Sequence, residues 1–225
     1  MTKVIDLTLP IGKHWRWFTG SFLKSNHEEG ESFRHTVFTM SAHAFTHVDA
    51  PAHFVKGAAT IEDVPLAMYS GEAAVVDLTH LTPQEPVTAG ELERHAGHVR
   101  AGDIAVLRSD WPLRRSCQSL EFWSEAPYLA ADACEWLAAK GVKAVGCDFP
   151  GDYLLRYEVT DRRHRSAKED NTTHQLLLAK GIGLIEYLTN LHELSRSRVE
   201  LYALPLKLVG ADGSPVRAIA LERDD

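Results

Sequence analysis

The chain has 225 residues, of which 44% are hydrophobic and 24% charged, the balance of a soluble globular protein with a substantial core. Its net charge of −7 argues against nucleic-acid binding, which usually needs a basic face. No apolar run approaches the roughly 18 residues of a transmembrane helix, so no membrane partner is expected. We predict a single domain over residues 1–225, because α/β domains commonly reach this length.

The N-terminus and the cysteines indicate a cytoplasmic protein. The first residues lack the apolar core of a signal peptide. Cys117, Cys134 and Cys147 are widely spaced and make neither a disulfide framework nor a CxxC metal motif. A reducing compartment suits such cysteines.

The first fifth of the chain is predicted to contain two strands and an aromatic loop. Val4–Leu9 alternates in polarity and is rich in β-forming residues, and Phe33–Ala42 has the same character. Between them, Trp15 and Trp17 lie in a segment that offers little core to bury them. Two interpretations are open: these aromatic side chains cover the sheet or a subunit interface, or they contact a substrate.

The segment His43–His53 contains three imidazoles and one carboxylate, the ligand types that suit Zn, Mn or Fe(II). In a straight strand His43 and His47 would lie roughly 13 Å apart, too far to share one ion. The chain must therefore curl here, for instance through a helical turn that brings residues i and i+4 together. The alternative is that these histidines are ordinary polar residues on a half-buried strand.

The rest of the chain is predicted to alternate strands with helices, which indicates an α/β layered domain. A capping box at Thr88 and Glu91 begins one helix, and Gly141 ends another. The predicted strands are Gly71–Leu78, Asp103–Arg108, Ala144–Phe149, Ile182–Leu188, Glu200–Leu208 and Val216–Leu221, and the predicted helices are Ala89–His95, Ala130–Lys140 and one starting at Thr172 under an Asn171 or Thr172 cap.

Two features of the C-terminal half bear on function. Glu186 lies inside an apolar strand, where a carboxylate needs a metal ion or a buried arginine as partner. Arg156–Asp170 is rich in charge, and we interpret it as a solvated excursion in preference to an anion-binding loop.

The residues in these segments resemble the signature of the cyclase family of metal hydrolases, which includes bacterial kynurenine formamidases and isatin hydrolases. The pattern H-x-G-T-H-x-D-x-P-x-H is matched by His43, Thr46, His47, Asp49, Pro51 and His53. Phe45 stands where the family usually has glycine. A second match is His174 twelve residues before Glu186, followed by Leu188, Asn190 and Leu191. Asp148–Asp152 also resembles the family's Asp-x-Pro-Ser-x-Asp loop, with Gly151 in place of serine.

The candidate ligands outnumber what one tetrahedral zinc needs, so either two ions bind or some groups act as acid and base. The resemblance implies that His43, His47 and Asp49 bind one divalent ion, and that Asp49 bridges to a second ion held by His174 and Glu186. Zinc is the first expectation and manganese the second. The alternative is a site with a single metal ion, which a resemblance to the isatin hydrolases would imply.

The resemblance also implies a fold and an activity. The fold is a mixed sheet with flanking helices, of the swivelling β/β/α type, in a homodimer or homotetramer. Metal-bound hydroxide would attack an amide carbonyl of a small-molecule substrate, and His53 would protonate the departing nitrogen. N-formylkynurenine, a metabolite of tryptophan catabolism, is the leading substrate, with Trp15, Trp17 and Phe45 as candidate contacts.

Other substrates and another class of function stay open at this point. An isatin-like lactam, a lactone or a polyketide-type cyclisation would use the same chemistry. A non-catalytic metal-binding protein is the rival from another class. The all-His and carboxylate ligand set favours the enzyme, because structural zinc sites are closed and favour cysteine.

Overall fold

A computed structural model describes residues 2–161, 163–164 and 168–223. The strands in it are β1 (Thr2–Asp6), β2 (Thr19–Ser25), β3 (His35–Met40), β4 (His47–Asp49), β5 (Ser70–Asp77), β6 (Pro86–Val87), β7 (Ile104–Arg108), β8 (Tyr128–Leu129), β9 (Ala144–Cys147), β10 (Gly183–Glu186), β11 (Arg198–Tyr202), β12 (Gly213–Pro215) and β13 (Ile219–Arg223). The α-helices are α1 (Ala89–His95), α2 (Trp111–Arg114), α3 (Glu121–Ser124), α4 (Ala131–Lys140), α5 (Leu155–Thr160) and α6 (Thr172–Leu178).

A nine-stranded mixed sheet organises these elements, in the order β1-β13-β11-β5-β7-β9-β10-β4-β12. The four central strands β5, β7, β9 and β10 are parallel, and all the flanking pairs are antiparallel. Strands β9 and β10 are buried along their whole length, as expected for parallel strands covered on both faces. The predicted α/β fold with a mixed sheet and flanking helices is confirmed.

Each face of the sheet has its own hydrophobic core. Alternate residues of the central strands pack against the helices, where Leu92 of α1, Leu137 of α4 and Leu177 of α6 meet. On the opposite face the sheet packs against itself. Ile5 of β1 and Val48 of β4 come from opposite ends of the sheet, yet they belong to one hydrophobic cluster. The sheet is therefore curled, and its curl brings the chain's first strand close to β4 and β10.

The helix termini follow the predicted signals. Thr88 caps α1 by accepting a hydrogen bond from the Glu91 backbone N–H, and Gly141 ends α4 with a φ of +74°. The cap of α6 differs from the prediction. Asn171 occupies the cap position but makes no side-chain cap bond, and the Asp152 carboxylate accepts from the Thr173 N–H instead.

Two predicted segments differ in the structure. The strand predicted over Glu200–Leu208 ends at Tyr202, because the chain then leaves the sheet toward β12. The excursion predicted over Arg156–Asp170 begins with helix α5, and the Arg156 guanidinium is buried on the Tyr153 ring at 3.6 Å. Arg162 and Arg165, part of the same prediction, lie outside the described residues.

Strands β2 and β3 form a separate two-stranded arm that is exposed along most of its length. The predicted strand Phe33–Ala42 is confirmed as β3 but pairs only with this arm. None of the helices formed by the described residues has the length and apolar character that a membrane span requires.

Candidate metal centre

The register of β4 against β10 creates the centre of the site. His47 lies directly opposite Glu186 in this antiparallel pair, and Asp49 follows two residues later on the same face of β4. His47 Nε2 lies 3.2 Å from Asp49 Oδ1 and 3.4 Å from Glu186 Oε2. All three side chains are buried at the carboxyl end of the parallel strands, the usual place for a ligand site in such sheets.

A tight turn before β4 returns His43 to this group. Phe45 in the turn adopts φ +59°, in the left-handed region, so the chain reverses at this residue and not through a helical turn. His43 Nδ1 then lies 2.7 Å from Asp49 Oδ1. The imidazole rests directly over Gly213 of β12, which is paired with Asp49 and has no side chain to fill that space.

Helix α6 adds a ligand from the other side. His174 Nε2 lies 3.2 Å from Asp49 Oδ2 and 3.9 Å from Glu186 Oε1. Its Nδ1 donates to Asp152 Oδ2 at 2.5 Å, which orients the ring and leaves Nε2 facing the carboxylates. The two oxygens of Asp49 thus face different histidines, His43 and His47 on one side and His174 on the other.

Each buried charge in this cluster changes the pKa of its neighbours. Burial favours the neutral acid, but the imidazoles of His47 and His174 hold the pKa of Asp49 well below its usual range. Burial raises the pKa of Glu186. Burial likewise opposes the charged form of His174, yet the carboxylates of Asp152 and Glu186 raise its pKa well above the usual value. The buried carboxylates therefore require positive charge beside them, which protons on the imidazoles or a cation can supply.

The orientation of these atoms fits a metal ion better than hydrogen bonds. His47 Nε2 and Asp49 Oδ2 are buried and make no aligned hydrogen bond to the described residues. Asp49 Oδ1 and Glu186 Oε2 nevertheless lie 3.2 Å and 3.4 Å from His47 Nε2, and His174 Nε2 lies 3.2 Å from Asp49 Oδ2. His47 Nδ1 is engaged by the Phe45 carbonyl at 2.8 Å, so that nitrogen carries the hydrogen and Nε2 presents a lone pair. Ligand atoms of His47, Asp49 and Glu186 all lie within 4.8 Å of one another, as atoms around one cation must.

His53 stands at the edge of the cluster. Its ring stacks on that of His43 at 3.9 Å, and its Nδ1 lies 3.0 Å from Asp212 Oδ2. Asp212 also lies 3.0 Å from His43 Nε2. Sequence reasoning missed Asp212, because Gly210–Gly213 has the composition of an ordinary turn. It also missed how Asp152 contacts His174, although Asp152 was noted in the loop Asp148–Asp152.

The three aromatic side chains predicted to contact a substrate lie in different environments. Trp17 is buried and lines a cavity of 170 Å³ that also contains His43, His53 and His174. Phe45 packs behind Trp17 at 4.5 Å and does not line this cavity. Trp15 is 42% exposed and donates its indole N–H to the Gln118 carbonyl. Their contact with a substrate stays a prediction, and Trp17 is the best placed.

The Cyclase family model matches residues 5–151, more than half of the sequence. The chain belongs to the cyclase family. A kynurenine formamidase from Bacillus cereus is 30% identical over 220 residues, which cover 96% of this chain and 95% of that protein. A solved structure described as a potential metal-dependent hydrolase with cyclase activity is 28% identical, with a TM-score of 0.73 and complete coverage (100%) of both chains.

Isatin hydrolase A from Labrenzia aggregata has the same fold, with a TM-score of 0.79 at 21% identity over 99% of this chain and 94% of that one. The resemblance stated from the sequence is therefore confirmed, and the chain is a metal-dependent hydrolase of the cyclase family. The turn before β4 explains its main departure from the family pattern. Glycine enters the left-handed region without steric cost, whereas Phe45 incurs strain that its packing on Trp17 offsets.

A second histidine group lies on the surface. His80 Nε2 lies 2.8 Å from Glu91, and the His95 ring stacks on that of His80 at 4.5 Å. The Arg94 guanidinium also pairs with Glu91, so this carboxylate already has a cationic partner. Both imidazoles are exposed, so this group has the contacts of an ordinary surface cluster.

Proposed function

We propose that the chain hydrolyses the amide C–N bond of an aryl formamide, with N-formylkynurenine as the leading substrate. The enzyme is then a hydrolase of C–N bonds other than peptide bonds, as the name of its Bacillus cereus relative indicates for that protein. The observation that carries the proposal is the position of Asp49. Its two oxygens face separate histidine groups, which supports a centre of two divalent ions bridged by this carboxylate.

The metal ions would be held by the two groups that Asp49 joins. His43 and His47 would bind the first ion, and His174 and Glu186 the second. Glu186 lies between the two groups, because its Oε2 is 3.4 Å from His47 Nε2 and its Oε1 is 3.9 Å from His174 Nε2. When bound, such an ion supplies a Lewis acid for the carbonyl and a water ligand of lowered pKa. Zinc suits the imidazole and carboxylate donors, and manganese is the second candidate.

His53 is proposed as the proton carrier. The Asp212 carboxylate can only accept a hydrogen bond, so His53 Nδ1 carries the hydrogen and Nε2 presents a lone pair. That nitrogen can take a proton from the attacking water and deliver it to the leaving amine nitrogen. The stacking of His53 on His43 keeps it beside the first group of ligands.

The dimensions of the cavity support an aromatic amide. A cavity of about 150 Å³ is enough for benzene, so the 170 Å³ here admits one aromatic ring. Trp17, Phe54 and Tyr187 supply aromatic walls beside the metal ligands. A single-ring formamide therefore fits better than a large fused ring system.

The test combines metal content with turnover. We expect two equivalents of zinc or manganese per chain after purification without added metal, and release of formate from N-formylkynurenine. His53→Ala is expected to keep the metal but to lose about 100-fold or more in kcat, as removal of a general acid–base group does. The matched control is His192→Ala, since His192 is exposed and away from the cavity.

Each outcome separates the alternatives. Wild-type turnover by His53→Ala would refute the proton-carrier role. Metal bound without formamide turnover would direct the search to lactams and lactones, and no turnover of any of these would favour the non-catalytic metal-binding protein. Failure to bind zinc or manganese at all would refute the metal centre.

We also propose a homodimer or homotetramer, supported by the arm of β2 and β3. Phe22 and Phe38 on this arm are 63% and 64% exposed, which is unusual for large apolar side chains on a monomer. Light scattering is expected to give two or four chains per particle. Phe22→Ser with Phe38→Ser should shift this toward the monomer, whereas Leu113→Ser, exposed elsewhere, should not. A monomeric wild type would refute the proposal.

The cytoplasm is the proposed location. Cys117, Cys134 and Cys147 are all free thiols, and two of them are buried. Free buried thiols suit a reducing compartment. Recovery of the native protein in the periplasmic or secreted fraction of its source cells would contradict this location.

A further inference from the structure

We infer that Phe45 limits the size of the substrate, because its ring holds the Trp17 indole in the wall of the cavity beside the metal ligands. The inference rests on the proposed amide hydrolysis and adds a specificity-determining residue to it. Trp17 lines the cavity, whereas Phe45 does not. Phe45 is therefore a positioning residue, and its effect on the substrate passes through the indole of Trp17.

Phe45 occupies an unfavourable backbone conformation. Its φ of +59° lies in the left-handed region, which a residue with a bulky side chain rarely adopts. Such residues persist only where the surrounding structure holds them, and they cluster at functional sites. The side chain is 2% exposed, so a large ring is buried at a position where glycine would be free of strain. The contacts of this ring therefore indicate its role.

The ring of Phe45 supports Trp17 from outside the cavity. The two ring centres are 4.5 Å apart. His14 and Trp123 support the same indole at 4.3 Å and 5.2 Å, and neither lines the cavity. Tyr187, at 5.3 Å, lines the cavity together with Trp17. The indole thus packs on three rings that lie behind the cavity wall, and these rings set how far it reaches into the cavity.

Phe45 differs from the other two supports in how it is held. His14 Nε2 and the Trp123 indole N–H both contact the Cys117 carbonyl, at 2.9 Å and 3.0 Å. Those two rings are fixed by hydrogen bonds, whereas the Phe45 ring has no polar atom. Truncation of Phe45 therefore opens space behind the indole without leaving a buried polar group unpaired.

The turn that carries Phe45 is anchored by contacts that do not involve its side chain. Thr46 Oγ1 donates to the Tyr187 carbonyl at 2.7 Å and accepts from the Leu9 backbone N–H at 2.8 Å. The Phe45 carbonyl is engaged by His47 Nδ1 at 2.8 Å. The backbone position is therefore fixed, so the ring cannot withdraw from the indole. A substitution at this position keeps all three contacts.

The volume of the cavity makes this support important for substrate size. At 170 Å³ the cavity is close to the roughly 150 Å³ that accommodates benzene, so it admits one aromatic ring. Truncation of Phe45 would empty the space of a further six-membered ring on the other side of Trp17. Protein interiors relax partly into such a space, so the indole can retreat into it. The cavity then gains room for a second, fused ring.

The experiment compares amides with one ring and with two fused rings in the zinc-loaded enzyme. Formanilide and N-(α-naphthyl)formamide carry the same reacting group and no charge. Phe45→Gly removes the ring and suits the left-handed turn, whereas Phe45→Leu keeps most of the apolar volume. We expect Phe45→Gly to raise the kcat/KM ratio of the naphthyl amide to formanilide by about 10-fold or more, because one methylene in a pocket already changes kcat/KM by about 10- to 200-fold. Phe45→Leu should raise this ratio by about two- to fivefold, since it opens less space.

A binding measurement and a matched control separate size selection from general damage to the fold. By calorimetry, Phe45→Gly should bind α-naphthylamine about 10-fold more tightly than the wild type does, because the second ring becomes buried. Its affinity for aniline should change by less than about threefold. Phe122→Ala is the control, because Phe122 is buried in the same core but its ring contacts Trp123 and does not line the cavity. It should leave both ratios unchanged.

The outcomes distinguish this inference from the function on which it rests. An unchanged ratio in Phe45→Gly, or an equal rise in Phe122→Ala, would overturn the inference. If Phe45→Gly does not fold, Phe45→Leu decides, since an intermediate rise supports the inference and the wild-type ratio overturns it. If the wild type hydrolyses neither amide, the proposed function fails and calorimetry alone decides. Tighter binding of α-naphthylamine by the variant would then support the role of Phe45, and unchanged or weaker binding would overturn it.

Discussion

Replacing Gly213 with alanine tests how the first group of metal ligands is assembled. A Cβ at this position would lie 2.6 Å from His43 Cε1 and 2.9 Å from the Val48 carbonyl oxygen. The first contact is about 0.8 Å short of ordinary van der Waals separation, which begins near 3.4 Å. The His43 ring must move to relieve the first contact, and because Val48 is held in the centre of strand β4, the backbone of β12 must shift to relieve the second.

The size of the effect follows from that overlap. Inserting one methyl group into a well-packed site costs about 1–3 kcal/mol, which for a domain of this size lowers Tm by roughly 3–10 °C. The displaced His43 loses its 2.7 Å contact with Asp49. Misorientation of a metal ligand typically weakens binding by about 10- to 100-fold, and we expect zinc affinity to fall by that factor.

Two measurements and one control decide the matter. Zinc affinity is measured by competition with a fluorescent chelator, and stability by thermal unfolding of the metal-free protein. Gly97→Ala is the matched control, because a Cβ there meets no atom within 4 Å and the backbone needs no positive φ. Wild-type zinc affinity in Gly213→Ala would refute the reasoning that this glycine makes room for His43.

Three further predictions concern the charges around the site and in the core. Asp152→Asn should lower zinc affinity by about 10-fold in chelator competition, because His174 loses the charge that orients it; an unchanged affinity would contradict this. Burial favours a neutral His43, but Asp49 raises its pKa to about 9, so zinc must displace a proton. Zinc affinity should therefore rise with pH up to about 9, and calorimetry in two buffers at pH 7 should detect proton release, whose absence would refute the assignment. Asp103→Ala should destabilise the fold by about 1–3 kcal/mol in urea unfolding, because Arg198 loses two bonds at 2.8 and 2.9 Å; a change below about 0.5 kcal/mol would contradict it.

The ligands that lie close together in the sequence could be predicted from it. His43, His47 and Asp49 fall within seven positions, so any curl of the chain brings them together. The burial of Glu186 could also be predicted, because an acid in an apolar strand needs a partner. The shape of the curl could not, since it depends on Phe45 adopting a left-handed conformation, which its own propensity disfavours.

The supporting residues were decided by tertiary contacts alone. Asp212 meets His53 across 159 positions of sequence, and Asp152 meets His174 across 22. Nothing local in a Gly-Ala-Asp-Gly turn distinguishes such an aspartate from a solvent-exposed one.

The sequence by itself determined the element types, the α/β class and the chemical nature of the site, because period, caps and ligand spacing are local properties of the chain. The tertiary structure decided the strand order, the pairing of His47 with Glu186 and the space that Gly213 leaves for His43. These depend on register and packing between distant segments. Strand register is fixed only when the hydrophobic residues on both faces of the sheet are buried in their two cores, so no single segment of the sequence specifies these contacts.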